Sequence, residues 1–418
     1  MYTEGTFGRM AYDRLGGINY ERMRKYRLER TKKAMEEYGI DVLITWDAYS
    51  IRYITGGYPT VPCRYSQAQF VVLPKNGDPH CFLTTSFSAY ALREEMPWLK
   101  NKLWAPPAGL KWCSTVSDLE PHMAKIIPII KEHGLMDGTV GLDGCTLELL
   151  MSAALKAEGV KAVKSAHDMM FSARKIKNED EIACMRLACS SADAAFYEIK
   201  KAIVPGVREC DLVGIGMKKL YELGADEVQE FVCSSGPRTN PLHIDYTDRA
   251  IAPGDVLCID INGNSYMGYK SCYYRTFVCG QATEKQKEVY EECRAMMYAG
   301  MAGIKAGNTT ADIIAGWPQT PKYWGYDNWL DVAGYALGHG LGLSLHEAPA
   351  CFKPGTVLAG KVDTLEEGMV IAVETWTGGE DPRFGKFGVR LEEDIVVTKD
   401  GYELLTKWPV DQITECPF

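Results

Sequence analysis

The stretch that decides the fold reads Gly338-His339-Gly340-Leu341-Gly342-Leu343-Ser344-Leu345-His346-Glu347. His339 lies between two glycines, where a backbone without Cβ atoms can be approached closely by its neighbours. Imidazole is a common ligand of Mn, Fe, Co and Zn. A single histidine is more often a hydrogen-bonded core residue, so a functional interpretation needs further polar groups elsewhere in the chain.

Three acidic residues stand in apolar surroundings further along the chain. Asp260 lies in Cys-Ile-Asp-Ile-Asn, Glu374 follows Val-Ile-Ala-Val, and Glu392 lies in Val-Arg-Leu-Glu-Glu-Asp-Ile. A charged carboxylate in a buried strand is costly unless a cation or a partner charge compensates it. Three such acids and His339 therefore predict a polar cavity that binds a cation.

Composition excludes several other classes of protein. The 418 residues are 46% hydrophobic and carry a net charge of −9 without a basic block, so we expect no nucleic-acid partner. We find no apolar run that would span a membrane and no secretory signal at the start of the sequence. The 14 cysteines include no Cys-x-x-Cys pair, which indicates free thiols in a reducing compartment and a cytoplasmic protein.

The pattern of elements predicts two domains. Helical and strand periodicities alternate through the first part of the chain, which indicates an α/β domain. A charged segment, residues 173–180, then precedes a long helical pattern. We place the domain boundary there and predict an α/β domain over residues 1–172 and an α+β domain over residues 173–418.

At this point the chain resembles the pita-bread family, which contains methionine aminopeptidase, Xaa-Pro aminopeptidase, prolidase, creatinase and dimethylsulfoniopropionate lyase. The resemblance rests on residues 235–243, on Gly-Tyr-Lys-Ser-Cys at residues 268–272, and on His339, Glu374 and Glu392 in their flanking sequences. It implies an N-terminal creatinase-like domain followed by a pita-bread catalytic domain.

The ligand set departs from that of the family's peptidases, in which Asp, Asp, His, Glu and Glu bind two metal ions. The corresponding residues here are Asp260, Cys272, His339, Glu374 and Glu392. The first two lie one residue further apart than in the peptidases, as in the lyase pattern, with Asn262 in place of its second Asp. We expect one divalent metal (Mn, Fe, Co or Zn) on the histidine and the two glutamates, or none, as in creatinase.

Cys272 stands where a metal-binding Asp is usual. It could be a thiolate ligand or a small apolar filler, and we favour the filler because a thiolate among carboxylates suits few of these metals.

The resemblance also implies roles for other residues. His243 and His346 are the implied general acid and base, because the charge of a histidine changes near neutral pH. Substrate-binding candidates are two arginines, which could hold a carboxylate, and two aromatic residues, which could face a cationic group: Arg64, Arg390, Tyr274 and Trp376. Structural salt bridges and ordinary core packing are the alternatives. Arg64 lies in a region that in creatinase faces the neighbouring subunit's site, so we predict a homodimer.

These residues predict an enzyme that acts on a small molecule. The favoured hypothesis is a hydrolase of a C–N bond, or a lyase, whose substrate is a small zwitterion such as a betaine or a guanidino acid. The first alternative is a metal-dependent Xaa-Pro dipeptidase or aminopeptidase. The second is a non-catalytic binding protein, which the retention of both histidines and both glutamates disfavours.

Replacing His243 tests the proton-transfer role directly. The variant His243→Ala should lose turnover by at least about 100-fold, the usual contribution of a general acid or base, while its circular dichroism and melting temperature stay near those of the parent. Unchanged turnover would remove His243 from the mechanism.

Overall fold

The computed structural model describes residues 17–59, 61–83, 92–240, 245–332 and 336–418. The chain divides into two compact units, one ending at Arg174 and the other beginning at Lys175. The predicted boundary between residues 172 and 173 lies two residues earlier and stays a prediction. His243 lies outside the described residues.

The first unit is built on a six-stranded sheet in the order β4-β3-β2-β1-β5-β6. Its strands are β1 (Val42–Thr45), β2 (Phe70–Pro74), β3 (His80–Phe82), β4 (Leu103–Trp104), β5 (Thr139–Asp143) and β6 (Ala162–Ser165). Its helices are α1 (Tyr20–Glu37), α2 (Ala48–Thr55), α3 (Val61–Ser66), α4 (Glu120–Glu132), α5 (Glu148–Ala157) and α6 (His167–Arg174). Parallel and antiparallel pairs mix in this sheet, and the predicted α/β class of the first domain is confirmed.

The second unit contains two mainly antiparallel sheets, with the strand orders β11-β10-β12-β13-β14 and β15-β9-β8-β7. Its strands are β7 (Glu230–Ser235), β8 (Val256–Tyr266), β9 (Tyr269–Cys279), β10 (Ala336–Gly340), β11 (Glu347–Phe352), β12 (Val370–Asp381), β13 (Gly385–Val397), β14 (Tyr402–Leu404) and β15 (Thr414–Cys416). Its helices are α7 (Glu179–Ala202), α8 (Glu209–Glu222), α9 (Glu284–Met301) and α10 (Thr310–Ile314). Among the described residues, no helix has the length and apolar content needed to cross a bilayer.

Buried polar contacts join β9 to β13 and so hold the two sheets together. The Thr276 hydroxyl donates to the carbonyl of Arg390 at 2.7 Å and accepts from the Arg390 N–H at 3.1 Å. The buried Arg275 guanidinium pairs with Glu393 at 2.8 Å. A hydrogen bond to a charged group contributes about 1.5–3 kcal/mol. These contacts hold β9 against β13, so the β8–β9 hairpin lies next to the β12–β13 hairpin.

His122 in α4 is a buried histidine in the core of the first unit. Its ring is 1% exposed and lies 5.8 Å from the ring of Phe70. Neither ring nitrogen has a hydrogen-bond partner within the described part of the chain. Burial disfavours the charged form and lowers the pKa of His122 to about 4. The unfolded chain therefore binds this proton first as the pH falls below about 6.5, and stability is lost between that pH and the folded pKa.

We predict that His122→Phe makes the first unit less sensitive to acid. The substitution keeps an aromatic ring in the core and removes the protonation of the unfolded state. Between pH 7 and pH 5 the variant should lose about 2 kcal/mol less unfolding free energy than the parent, measured by urea denaturation. The control is His167→Gln, at an exposed position. Equal acid sensitivity of parent and His122→Phe would contradict the prediction.

Candidate active site

The β12–β13 hairpin places the two expected glutamate ligands side by side. In its antiparallel register Glu374 is the cross-strand partner of Glu392, and Trp376 is the partner of Arg390. Alternate residues of a strand share a face, so these four side chains and that of Asp394 project from the same side of the sheet. Five polar or aromatic side chains therefore share one face of the β12–β13 hairpin.

The β8–β9 hairpin supplies the opposite wall. Asp260 is the cross-strand partner of Tyr274, and Asn262 is the partner of Cys272. The register shifts between Asn262 and Asn264, where Gly263 has a φ of +67° that a residue with a Cβ rarely adopts. The bulge lies directly beside the Asn262–Cys272 pair.

His339 enters the site from β10, where it pairs with Ala372 of β12. The glycines on either side of it are required by close backbone contacts. A Cβ on Gly338 would lie 2.8 Å from the carbonyl oxygen of Ala372, and one on Gly340 would lie 2.3 Å from that of Ala348. The quoted sequence therefore holds His339 between two strands that only glycine lets approach.

Three residues far apart in the sequence meet at one buried point. Cys272 Sγ lies 3.9 Å from His339 Nε2, and His339 Nε2 lies 4.0 Å from Glu392 Oε1. All three ligand atoms lie within 4.8 Å of one another. His339 Nδ1 lies 3.0 Å from the carbonyl of Gly340, so a proton on Nδ1 leaves Nε2 as an acceptor that faces the cluster.

The electrostatics of this point fit a divalent cation. Glu392 is fully buried, and neither of its carboxylate oxygens has a hydrogen-bond partner among the residues that the structure describes. Burial, and then the nearby charges of Glu374, Asp260 and Asp394, raise the pKa of Glu392 well above its usual value. Burial lowers the pKa of His339 to about 4, which keeps its ring neutral. A neutral imidazole beside an uncompensated carboxylate is the donor set that Zn, Fe or Co prefers.

Asn262 organises the other side of the cluster. Its Nδ2 donates to Glu230 at 3.0 Å and also to Asp260, while Cys272 Sγ donates to its Oδ1 at 2.7 Å. The backbone N–H of Cys272 donates to Asp394 Oδ2 at 3.0 Å. Burial, and then the surrounding acids, raise the pKa of the thiol well above its usual value.

Two residues of this network were missed by sequence reasoning. Asp394 lies two positions after Glu392, so strand alternation could have placed it on the same face. Glu230 is the cross-strand partner of Asn262 on β7, and no sequence signal points to it.

Arg390 pairs with an expected metal ligand. Its Nη2 donates to Glu374 Oε2 at 2.9 Å, and its guanidinium lies 3.8 Å from the centre of the Tyr274 ring. Glu374 is therefore paired with Arg390 and is not one of the three residues of the Cys272–His339–Glu392 cluster. Nε and Nη1 of Arg390 are buried and have no hydrogen-bond partner in the described part of the chain. Of the two alternatives that the sequence left open for Arg390, the salt bridge is observed, and the substrate-binding role stays a prediction.

The remaining predicted site residues lie in different surroundings. The ring of Trp376 is buried and lies 5.5 Å from that of Trp324. The ring of His346 lies 4.2 Å from that of His339. Desolvation, and then the neighbouring His339, lower the pKa of His346 to about 4, so the charge change expected near neutral pH is shifted to lower pH. Arg64 belongs to α3 of the first unit and donates to the hydroxyl of Tyr58 at 2.9 Å. Its predicted reach into a neighbouring subunit stays a prediction.

Comparison with known protein families identifies the class of this chain. Residues 183–399 match the family described as Metallopeptidase family M24, and residues 27–176 match the Creatinase/Prolidase N-terminal domain. The chain belongs to metallopeptidase family M24, and the predicted creatinase-like and pita-bread domains are confirmed. It is a hydrolase of the prolidase type, in a family that works with divalent metal.

Individual relatives point in two directions. An Xaa-Pro dipeptidase from Pyrococcus furiosus is 30% identical over 305 residues, which are 70% of this chain and 83% of that relative. The solved structure of an Xaa-Pro dipeptidase from Bacillus anthracis is 27% identical, with a TM-score of 0.71 over 94% of this chain and 99% of its own. The dimethylsulfoniopropionate lyase DddP from Roseovarius nubinhibens is 24% identical over 422 residues, covering 98% of this chain and 91% of its own. These names favour the peptidase alternative over the small-molecule hypothesis.

Glu392→Gln should separate the stability of the site from its cation binding. The Glu392 carboxyl is costly to bury among other acids, so a neutral amide in its place should raise the unfolding free energy of the chelator-treated protein by about 1 kcal/mol or more. The same variant should lose most of the rise in melting temperature that added Zn²⁺ gives the parent.

The neighbouring Glu393→Gln is the matched control. Glu393 pairs with Arg275, so this variant should be less stable with and without Zn²⁺. A Glu392→Gln protein that keeps the full stabilisation by Zn²⁺ would show that Glu392 does not bind the cation.

Proposed function

We propose that this protein is an M24 hydrolase that uses a single divalent cation held at His339 and Glu392, and that its first substrate class is Xaa-Pro dipeptides. The observation that carries the proposal is the buried Glu392 carboxylate, unpartnered among the described residues and 4.0 Å from the acceptor nitrogen of His339. The printed names of the dipeptidase relatives support the substrate class.

Different residues would polarise the substrate, bind its carboxylate and transfer protons. A bound cation would supply positive charge that polarises the carbonyl of the scissile amide. Arg390, with two donor nitrogens left after its pair with Glu374, would hold the substrate carboxylate. His346, beside His339, and His243 would move protons between water and the leaving amine.

The residues at positions 262 and 272 support one cation rather than two, because neither is an acid. Asn262 is a neutral amide where the resemblance expects a carboxylate, and the Cys272 side chain is a thiol hydrogen-bonded to it rather than a bridging carboxylate. The Asn262 amide is already engaged by Glu230, Asp260 and Cys272. A second divalent ion would have to displace those hydrogen bonds and would gain few charged ligands.

A second candidate, hydrolysis or elimination of a small zwitterion, is favoured by an aromatic cleft in the second unit. Its lining includes Trp376, next but one to Glu374 on β12, together with Tyr323, Trp324 and Tyr326. The Trp324 Nε1 donates to the carbonyl of Trp376 at 3.0 Å, and the Tyr323 hydroxyl donates to Glu292 at 2.7 Å. These bonds fix the polar edges of the rings, and aromatic faces attract quaternary ammonium or sulfonium groups.

A substrate panel separates the two candidates. The purified protein, loaded with Zn²⁺, Co²⁺, Fe²⁺ or Mn²⁺, is offered Ala-Pro and Gly-Pro in one arm and glycine betaine, proline betaine and dimethylsulfoniopropionate in the other. We expect dipeptide hydrolysis that falls at least tenfold after treatment with a chelator.

Turnover limited to the onium compounds would replace the first candidate by the second. In that case Trp324→Leu should raise KM for the onium substrate several-fold, and Trp112→Leu, at an exposed position of the first unit, should not. No turnover in any arm would overturn both candidates and favour a binding protein.

A further inference from the structure

The buried cluster contains a thiol where the resemblance expects an acid. We infer that Cys272 is itself a ligand of the cation, as a thiolate, together with His339 and Glu392, so that the site selects Zn²⁺, Co²⁺ or Fe²⁺ over Mn²⁺ and Mg²⁺. The inference rests on the proposed function for the presence of a cation and goes beyond it in assigning the third ligand and the class of metal. It also reverses the sequence-based preference for an apolar filler.

The spacing of the three donors carries the inference. Ligand bonds of about 2.0–2.3 Å in a tetrahedral zinc site place the donor atoms about 3.5 Å apart. Cys272 Sγ and His339 Nε2 are 3.9 Å apart, and His339 Nε2 and Glu392 Oε1 are 4.0 Å apart. The third distance, between Cys272 Sγ and Glu392, is within 4.8 Å. Contractions of about half an ångström in the first two distances and of at most about 1.3 Å in the third, made by side-chain rotation, would bring the three atoms to the spacing of a coordination shell. Glu374 is not among these three residues.

The backbone around Cys272 is anchored for such a role. Its N–H donates to Asp394 Oδ2 at 3.0 Å, and the same oxygen accepts from the thiol of Cys189 at 3.4 Å. Asp394 is fully buried and projects from the same strand face as Glu392. It therefore acts as a positioning residue that fixes the strand carrying Cys272 relative to the strand carrying Glu392.

Ligation requires one proton to leave. The S–H bond of Cys272 breaks, its hydrogen bond to Asn262 Oδ1 is lost, the proton passes to solvent, and the sulfur forms a bond to the cation. A coordinating thiol is deprotonated by the ion's own charge. The competing arrangement is the thiol retained as a donor to Asn262. A thiolate is a soft ligand, which favours Zn²⁺, Co²⁺ and Fe²⁺ over the hard ions Mn²⁺ and Mg²⁺.

Cobalt(II) spectroscopy tests the assignment without any substrate. The full chain loaded with one equivalent of Co²⁺ should show an intense near-ultraviolet sulfur-to-cobalt charge-transfer band. Cys272→Ser should lose the band and bind Zn²⁺ at least tenfold more weakly. Cys189→Ser removes a buried thiol that contacts the same Asp394 but is not in the cluster, so it should keep both. A parent protein that binds Co²⁺ without the band would overturn the assignment, whatever the folding of the variants.

A second variant tests the selection of metal. Cys272→Asp replaces the soft ligand by a hard one and should lower the ratio of Zn²⁺ to Mn²⁺ affinity at least tenfold. An unchanged ratio would count against the thiolate. Neither measurement needs turnover. If the charge-transfer band is missing but dipeptide hydrolysis is chelator-sensitive, only the role of Cys272 is wrong. If the band is present but no hydrolysis is found, only the proposed function is wrong.

Discussion

The site depends on the cost of burying several carboxylates against one another. Asp260, Glu374, Glu392 and Asp394 project from strands whose other residues are apolar, and each must be compensated or protonated. Arg390 compensates Glu374, the Asn262 amide donates to Asp260, and the Cys272 backbone and the Cys189 thiol donate to Asp394. Among the described residues, Glu392 has no such donor at either oxygen. The architecture therefore leaves the Glu392 carboxyl without a hydrogen-bond donor at the point that the neutral imidazole of His339 also faces.

The loop that follows β10 is built around a second buried charge. Lys177 lies 3.2 Å from Glu347, and both side chains are almost completely buried. The N–H of Ser344 donates to the other Glu347 oxygen at 3.0 Å, and a Cβ on Gly342 would lie 2.6 Å from this carboxylate. Removal of one member of a buried pair costs about 3–5 kcal/mol, so the pair fixes the turn that carries His346 next to His339. The glycines of residues 338–347 thus allow close packing of the backbone, and the two histidines of the same segment lie at the candidate site.

The exchange of acids for Asn262 and Cys272 redistributes charge without changing the fold. A cluster with fewer negative charges retains less attraction for a second cation, and a sulfur donor changes which first cation is preferred. In the proposed function, Arg390 beside Glu374 would bind an anionic group, and the aromatic cleft next to the same strand would receive a ring or an onium group. The residues proposed to select the substrate and those proposed to select the metal are therefore different, although both groups lie on the same sheets.

The sequence by itself determined the two-domain fold, the family and the residues that could carry chemistry, because apolar periodicity and short motifs depend on local chain geometry. It placed Glu374 and Glu392 on strands and His339 between glycines, as the structure has them. Only the tertiary structure decided which groups meet. Arg390 pairs with Glu374, and Asn262 bonds to both Glu230 and Cys272. The Cys272 thiol lies beside His339. The physical reason is that strand alternation fixes the face on which a side chain lies, whereas distances of a few ångströms between sheets are set by the packing of segments far apart in the chain.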